Sequence, residues 1–440
     1  MHGIALESAG PLAFFFPHTK TVNDMDSRGT DAHLTADTHV APIPAREDAS
    51  ERAFLELLRR HLDRGVLHVL SGSRRHTVGR DAGAGECTLR IHAPGFFRRV
   101  LAQGNLGMAE AYMAGEFDVD DGRLPDLLRL LLMAGLEHKI GGDWRFLLRY
   151  GAILVGNRLV GNTRSVRKHY DIGEDVFDSF LTDRYQVYSC GYAHSADDDA
   201  DTLQQQKLER ICRKLEVSPG HRMLDIGCGK GGLLIHAALH HGAIGTGVTN
   251  SRAHFERAQQ NAEKYGVADR VAFVLDDYNE VEGAFDRIVS VGMLEHLQEK
   301  EYARYFRKIA GALAPGGRGL VHAVGCNTKV NSHDPFIQKY IFPDSDTPKL
   351  SAISAQLENN RLAILDVENM IRHYGVTAQR WLDAFRANAD GLDARYDRSF
   401  KRMWEYYLCC CVAAAHAGEQ SLYQVLFTND YHADYRYQRI

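Results

Sequence analysis

The sequence predicts an α/β protein: a doubly wound, mainly parallel sheet preceded by a smaller N-terminal α+β domain. Three observations carry this expectation. From Asp201 onward, helical and strand periodicities alternate at the spacing of βα units. The run Met223-Leu224-Asp225-Ile226 passes through Gly227-Cys228-Gly229-Lys230-Gly231-Gly232 directly into a helical pattern; only a backbone without side chains can come that close to a bound nucleotide. Residues 50–140, by contrast, mix helices with short strands and lack the alternation.

The elements follow in chain order. Residues 1–48 are rich in Thr, Asp, His, Ala and Pro without a period, and read as a disordered leader. A helix over 51–64 places Phe54, Leu55, Leu57, Leu58 and Leu62 on one face. Short strands over 66–70, 76–79 and 87–92 come next, then a helix over 94–101 and another ending at Gly115. Residues 143–168 read as a linker helix in which Trp144, Phe146, Leu147 and Ile153 alternate with Arg145, Arg149, Arg158 and Arg164. That composition suits a helix lying on an anionic bilayer, and equally an interdomain helix with solvated arginines.

Residues 169–430 form the alternating domain. Helix 202–215 precedes strand 222–226, helix 232–240 precedes strand 244–248, and helix 252–265 precedes strand 271–275. Strand 285–291 leads to helix 300–313, and Pro315-Gly316-Gly317 is expected to turn into strand 319–324. Gly227, Thr249, Asp277, Glu295 and His322 then fall at or just beyond strand ends, where open α/β sheets bind ligands.

Composition narrows the function classes. A net charge of -5 and a pI near 6.5 disfavour bulk nucleic-acid binding. Eight cysteines show no C-x-x-C and no Cys/His metal spacing, so no metal is expected. Cys409-Cys410-Cys411 suit a helix in a reducing compartment. No apolar run approaches about 18 residues, and the apolar stretch at 10–17 lacks a preceding basic segment, so the expected location is cytoplasmic.

The glycine motif also fits G-x-G-x-x-G through Gly227, Gly229 and Gly232. A dinucleotide site wants an acid at the end of the next strand, but that strand ends at Thr249 and Asn250. Asp225, directly before the first glycine, would repel a phosphate and hold a cationic aminoacyl group. S-adenosylmethionine is therefore favoured over NAD.

Further motifs stand in order along the chain: Arg167-Lys168-His169-Tyr170-Asp171-Ile172-Gly173, Tyr188-Ser189-Cys190-Gly191-Tyr192, Gly292-Met293-Leu294-Glu295-His296, Tyr340-Ile341-Phe342-Pro343, His373-Tyr374, Met403-Trp404-Glu405-Tyr406-Tyr407-Leu408, and Tyr423-Gln424-Val425-Leu426-Phe427. With them the chain resembles the cyclopropane-fatty-acyl-phospholipid synthase family, including the mycolic acid methyltransferases, over about residues 51–427. The resemblance implies a Rossmann-like class I S-adenosylmethionine-dependent methyltransferase domain. It implies methyl transfer to the cis double bond of a phospholipid acyl chain, with bicarbonate taking a proton before the ring closes.

The resemblance also implies roles. Glu295, His322 and Tyr374 carry over as the bicarbonate cradle, completed by the backbones of Cys190 and Val324, and Cys411 as a candidate catalytic thiol. Tyr170 would close over the methionine end of the cofactor with Ser189 beside it, and Gly227, Gly229 and Gly231 would form the loop. Thr249 and Asn250 would face the ribose; Asp277 and Tyr278 would border the adenine. The N-terminal block would engage the phospholipid surface on the inner face of the membrane, or serve as a homodimerisation module.

Each residue alone has a plainer reading: Glu295 as a helix N-terminal acid, His322 as a satisfied core histidine, Tyr374 and Tyr278 as packing aromatics, Cys190 as a small packing residue. The chain also departs from the family pattern. Lys230 replaces an aromatic residue, His254 a glutamine, Val324 an isoleucine, Ala323 a threonine, and Asp344-Ser345-Asp346 the usual glycines. A lysine near a sulfonium is unfavourable unless it points outward or pairs with an acid. These changes keep open a related lipid C-methyltransferase with a methyl-branched product, and a lipid-binding protein with a degenerate methyltransferase domain.

Overall fold

The computed structural model describes residues 46–136, 172–327, 334–343 and 347–432. The expected leader up to residue 45, the linker helix at 143–168, Tyr170 and Asp344-Ser345-Asp346 lie outside the described residues. The chain divides into two compact units, Met1–Val166 and Arg167–Ile440.

In the first unit, helix α1 (Ala49–His61) starts at Asp48, whose carboxylate accepts the Glu51 N–H at 2.7 Å and satisfies one of the open donors of the first turn. Strands β1 (Gly65–Ser71) and β2 (Arg74–Arg80) form a hairpin. Strand β3 (Glu86–Ile91) runs parallel to β1, and β4 (Phe117–Val119) completes the order β2-β1-β3-β4. The two helices expected after β3 are one element, α2 (Phe96–Met113), broken at Gly104, where φ 57° and ψ −130° leave the helical region. The rings of Phe54, Phe96, Phe97 and Phe117 meet edge-on or tilted at 5.2–6.0 Å and form the centre of this core. Helix α3 (Leu124–Ala134) ends the described part of this unit.

The second unit opens with the short helix α4 (Glu174–Asp178) and α5 (Ala200–Lys214). Strands β5 (Arg222–Ile226), β6 (Ile244–Thr249), β7 (Val271–Leu275) and β8 (Phe285–Val291) alternate with α6 (Gly232–His241) and α7 (Arg252–Lys264). Helix α8 (Tyr302–Ala312) leads into β9 (Leu313–Gly325). Helices α9 (Pro335–Tyr340) and α10 (Leu350–Asn359), strand β10 (Ala363–Asn369), helices α11 (Ile371–Asn388) and α12 (Arg398–Ala417), and strand β11 (Ser421–Thr428) complete it. The seven strands lie in the order β10-β11-β9-β8-β5-β6-β7, with β11 antiparallel to both neighbours and β5 to β9 parallel.

Pro315-Gly316-Gly317 departs from its expected role as a turn before the strand. The backbone is already part of β9 at Leu313, and the register steps from Phe285 opposite Leu313 to Arg287 opposite Arg318. The surplus residues are taken up as a bulge, with Gly316 at φ 73°.

Side-chain alternation sorts the strands into two packed faces. Leu224, Ile226, Ile288, Val321, Ala323, Val425 and Phe427 pack with Tyr302, Phe306 and Ile309 of α8 and Ile353 and Leu357 of α10. Met223, Val289, Leu320 and Leu426 pack with Leu208 and Ile211 of α5, Leu215 just beyond its end, and Leu234 and Ile235 of α6. Asp225 and His322, two residues beyond Met223 and Leu320, therefore share the α5 face.

Helix α5 is tied to β10 by buried ions. Lys214 Nζ lies 2.7 Å from Glu368 and 3.1 Å from Asp366, and Arg210 grips Glu368 with two hydrogen bonds of 2.8 and 2.6 Å. Burial pushes the Glu368 carboxyl up, but Arg210 and Lys214 more than offset this and hold it at about 2. Lys214→Ala removes the ammonium that Asp366 and Glu368 share, while Arg210 still pairs with Glu368. It is expected to cost about 3–5 kcal/mol of stability, read from urea unfolding midpoints.

Candidate active site

The glycine loop joins β5 to α6 with Gly227, Gly229 and Gly231 all at positive φ (80°, 53° and 83°). The Gly227 N–H donates to the Val248 carbonyl at 3.0 Å, which fixes the loop over the end of β6. A Cβ on Gly231 would lie 2.5 Å from Phe273 Cζ, whereas one on Gly229 meets no heavy atom within 4 Å. The loop is thus packed from beneath and open at Gly229, the shape needed for close approach of a ligand to backbone.

Beneath the loop, burial pushes the Asp225 carboxyl up to about 7, and its Oδ1 is sealed without a hydrogen-bond partner. The charge opposing it belongs to Lys207 of α5, itself almost fully buried. Lys207 Nζ donates to Ser189 Oγ at 3.1 Å, and burial lowers its pKa to about 8 despite Asp183, Cys190 and Asp225 nearby. Asp183 accepts the Tyr185 and Val187 N–H groups at 3.0–3.2 Å and shapes the chain leading to Ser189.

Lys230 is turned away from electrostatic conflict. Its Nζ lies 2.9 Å from Glu174 Oε2 and donates to Asp178 Oδ1 at 3.2 Å and Gln186 Oε1 at 3.3 Å. His254 Nε2 lies 3.8 Å from the other oxygen of Glu174. The two departures from the family pattern therefore share one acidic partner on α4.

At the end of β6, where the ribose is expected, Thr249 is buried, its Oγ1 accepting the Ser251 N–H at 3.2 Å, and Asn250 is exposed beside it. Asp277 is exposed and accepts the Asn279 N–H at 2.9 Å, while Tyr278 packs edge-on against Tyr305 at 5.7 Å. Both border the end of β7.

Glu295 sits in a single 3-10 turn (Leu294–His296) just beyond β8. Its Oε1 accepts the Val324 N–H at 2.7 Å, so the Val324 main-chain donor is engaged by Glu295. Its Oε2 is sealed and unpartnered, and burial pushes the carboxyl up to about 7. His322 lies two residues before Val324 on β9. Gln424 Nε2 donates to His322 Nδ1 at 3.2 Å, which leaves the proton of the neutral ring on Nε2. That Nε2 is buried without a partner. Burial, then Lys207 and Lys214, push the ring down to about 3, so it is neutral at pH 7.

Tyr374 lies in the first turn of α11, which leaves β10 at the same sheet edge; Met370, just before that turn, donates its N–H to the Leu422 carbonyl opposite Val324. Burial, then Cys411 and Tyr188, push the Tyr374 phenol well above its ordinary range. Cys411, in α12, is approached by the hydroxyls of Tyr374 and Tyr407, yet burial leaves its thiol raised and protonated. Cys190 is buried, its Sγ donating to the Gly191 carbonyl at 3.0 Å, with a pKa pushed up to about 12 by burial. Phe177, Phe180, Tyr188, Trp381 and Trp404 pack edge-on or tilted against one another with centroids 5.2–6.0 Å apart.

Lys207, Gln424 and the aromatic set carry no site role in the sequence reading, although Tyr188, Trp404 and Gln424 stand in family motifs. Lys207 was legible in principle: it stands on the apolar stripe Leu203, Lys207, Ile211 of α5, where a solvated lysine has no place. Gln424 stands in the motif Tyr423-Gln424-Val425-Leu426-Phe427, but its role depends on pairing opposite His322, which the motif does not reveal.

The raised Glu295 carboxyl makes a pH prediction. The folded ligand-free protein keeps a proton up to about pH 7 that the unfolded chain releases near its ordinary 4.5. The folded state then binds more protons in that window, and stability falls as pH rises through it. Glu295→Gln removes this loss, so its stability relative to wild type should climb by about 1–3 kcal/mol between about pH 5 and pH 7.5. Urea midpoints at the two pH values check it; a pH-independent difference refutes it.

The chain is similar to known proteins in sequence and in fold. A family profile described as mycolic acid cyclopropane synthetase matches residues 158–425. The cyclopropane-fatty-acyl-phospholipid synthase of Escherichia coli is 37% identical over 353 residues, 79% of this chain and 89% of that protein. A tuberculostearic acid methyltransferase of Mycobacterium tuberculosis is 30% identical over 407 residues, 88% of this chain and 93% of its own. Among solved structures, a cyclopropane synthase of Mycobacterium tuberculosis superposes with TM-score 0.56 at 24% identity, covering 60% of this chain and 96% of its own. A mycolic acid cyclopropane synthase complexed with SAH and CTAB superposes with TM-score 0.55 at 25% identity, with the same coverage. With a seven-stranded sheet, a glycine loop after a buried acid and this extent of match, the chain belongs to the mycolic acid cyclopropane synthetase family of class I S-adenosylmethionine-dependent methyltransferases.

Proposed function

We propose that this protein is an S-adenosylmethionine-dependent cyclopropane synthase acting on the cis double bonds of phospholipid acyl chains, with bicarbonate as the base. The observation that carries the reading is a pair of sealed, unpartnered polar atoms, Glu295 Oε2 and His322 Nε2, at the carboxyl edge of β8 and β9. Buried polar groups are rarely left without a partner, so a small polar ligand is the natural occupant. Bound S-adenosylmethionine supplies an electron-poor methyl group, and bound bicarbonate a base.

The side chains fit those two groups. Neutral His322 offers an N–H and Tyr374 an O–H to an anion, while Glu295 accepts a proton-bearing oxygen. Asp225 and the open loop at Gly229 suit a cationic aminoacyl group, with Lys207 balancing the carboxylate when that group is absent. Positive charge must develop on the acyl chain during methyl transfer to an alkene. The walls that would meet it are neutral: Tyr374 and Cys411 keep their protons at pH 7, so neither is a ready nucleophile that would trap the cation. The rings of Tyr188, Trp381 and Trp404 add the attraction of π faces for a cation.

The substrate double bond lies inside a bilayer, whereas no helix among the described residues is long and apolar enough to cross one. Peripheral docking on the inner face of the membrane, through the N-terminal unit and residues 143–168, is part of the proposal. Neutralising Arg145, Arg149 and Arg158 should weaken sedimentation with anionic vesicles.

The test uses purified protein, S-adenosylmethionine, bicarbonate and vesicles of a monounsaturated phospholipid. Mass spectrometry should find acyl chains heavier by one methylene, co-eluting with a ring standard. Glu295→Gln should lower turnover by about a hundredfold or more with cofactor affinity within about threefold by calorimetry. A methyl-branched product would replace the ring-forming reading with a related C-methyltransferase. Equal loss of turnover and affinity would overturn the role given to Glu295.

A further inference from the structure

A second cluster of reactive side chains lies outside the cofactor site, on the helix pair α5–α6. Helix α5 presents Glu209 and Cys212, one turn apart; α6 presents His236 and, in its last turn, His240 and His241. One ligand atom each from Cys212, His236 and His241 lies within 4.8 Å of the other two. The glycine loop is at the opposite, N-terminal end of α6, so this cluster is not the cofactor machinery.

We propose that Cys212, His236 and His241 form a binding site for a borderline divalent cation, zinc above all, with Glu209 as the carboxylate that orients both imidazoles. Glu209 Oε2 is 2.9 Å from His241 Nε2 and 3.3 Å from His236 Nε2. Each ring thus gives one nitrogen to Glu209 and retains Nδ1 for a metal. The Nδ1 of His236, a residue 5% exposed, is sealed and has no hydrogen-bond partner. Carboxylate–histidine pairs of this kind commonly support metal ligands, fixing the tautomer and raising the basicity of the free nitrogen.

The donor set selects the ion. One thiolate and two imidazoles suit zinc, and hard cations such as magnesium or calcium want oxygen ligands instead. Zinc bonds of about 2.0–2.3 Å require the three donors to close to about 3.5 Å of one another, a side-chain adjustment from the present spacing. Binding displaces the Cys212 thiol proton to solvent and forms the metal–sulfur bond, with no redox change. His241, with 19% of its side chain exposed, opens the cluster to solvent and leaves the fourth position to water. The carbonyl end of α6 also favours a cation there. A bound ion would clamp α5, which carries Lys207, to α6, which carries the glycine loop. The spacing Cys212, His236, His241 matches no short sequence motif because its two arms come from separate helices, which is why the sequence alone indicated no metal.

The test is titration of metal-stripped, full-length protein with Co2+ followed by Zn2+. One Co2+ per chain should bind with a thiolate-to-cobalt charge-transfer absorption and tetrahedral ligand-field bands, and Zn2+ should displace it and raise Tm. Cys212→Ala should abolish the charge-transfer band. His241→Asn, at a partly exposed position, should weaken binding about tenfold or more while far-UV circular dichroism and S-adenosylmethionine affinity without added metal stay at wild-type values. Failure to bind, binding without the thiolate band, or a band that survives Cys212→Ala would each overturn the proposal. None of these outcomes bears on methyl transfer, so the two proposals fail separately.

Discussion

Two carboxyls, an imidazole and an ammonium are buried along one edge of the seven-stranded sheet, and the rest of the domain is arranged around making that tolerable. Removing a charge from water costs several kcal/mol unless it is paired or neutralised. Here both remedies operate. Lys207 opposes Asp225, His322 loses its charge, and Glu295 is pushed toward its protonated form. What remains uncompensated, chiefly Asp225 Oδ1, Glu295 Oε2 and His322 Nε2, marks the surface on which ligands would be held. Helix α5 is the element through which these effects meet. It supplies Lys207 toward the site and Lys214 toward β10, and the same pair depresses the His322 ring.

The neutral state of the surroundings follows from the same physics. Tyr188, Tyr374, Tyr407, Cys190 and Cys411 are all pushed up by burial and keep their protons. The proposed transient cation, beside two thiols and three phenols, would benefit from none of them being ionised. Cys411 accordingly fits best as a packing and hydrogen-bonding group of the aromatic wall; a nucleophile would need the opposite shift.

The departures from the family pattern prove to be coupled. Lys230 would conflict with a cationic cofactor if it were unpaired, but Glu174 and Asp178 of α4 hold it, and Glu174 also faces His254. A degenerate domain would be expected to accumulate unpaired charges at such positions. A substituted lysine with its own acids instead indicates a site repacked as a unit, which supports a working cofactor loop.

How much of this was legible beforehand depends on the range of the interaction. The βα alternation, the glycine loop, the strands at β5, β7 and β8 to the residue, and the helix around Cys411 follow from local periodicity and backbone freedom, which neighbouring residues set by themselves. Glu295, His322 and Asp225 were likewise visible as polar residues at strand ends. Other features required the folded chain. Pro315-Gly316-Gly317 looks like a turn until pairing with β8 draws it into a bulged strand. Gln424 becomes the partner that sets the His322 tautomer only when β11 folds back antiparallel, about a hundred residues later, beside β9. Lys207 meets Asp225, and Cys212 meets His236, only across the gap between a helix and its neighbours. The sequence by itself determined most strands and helices of the alternating βα stretch and put forward candidate site residues at the strand ends, because those rest on short-range pattern. Which of them face each other, which protons they hold and which polar atoms are left open were decided by tertiary packing, because burial and charge pairing exist only once distant segments meet.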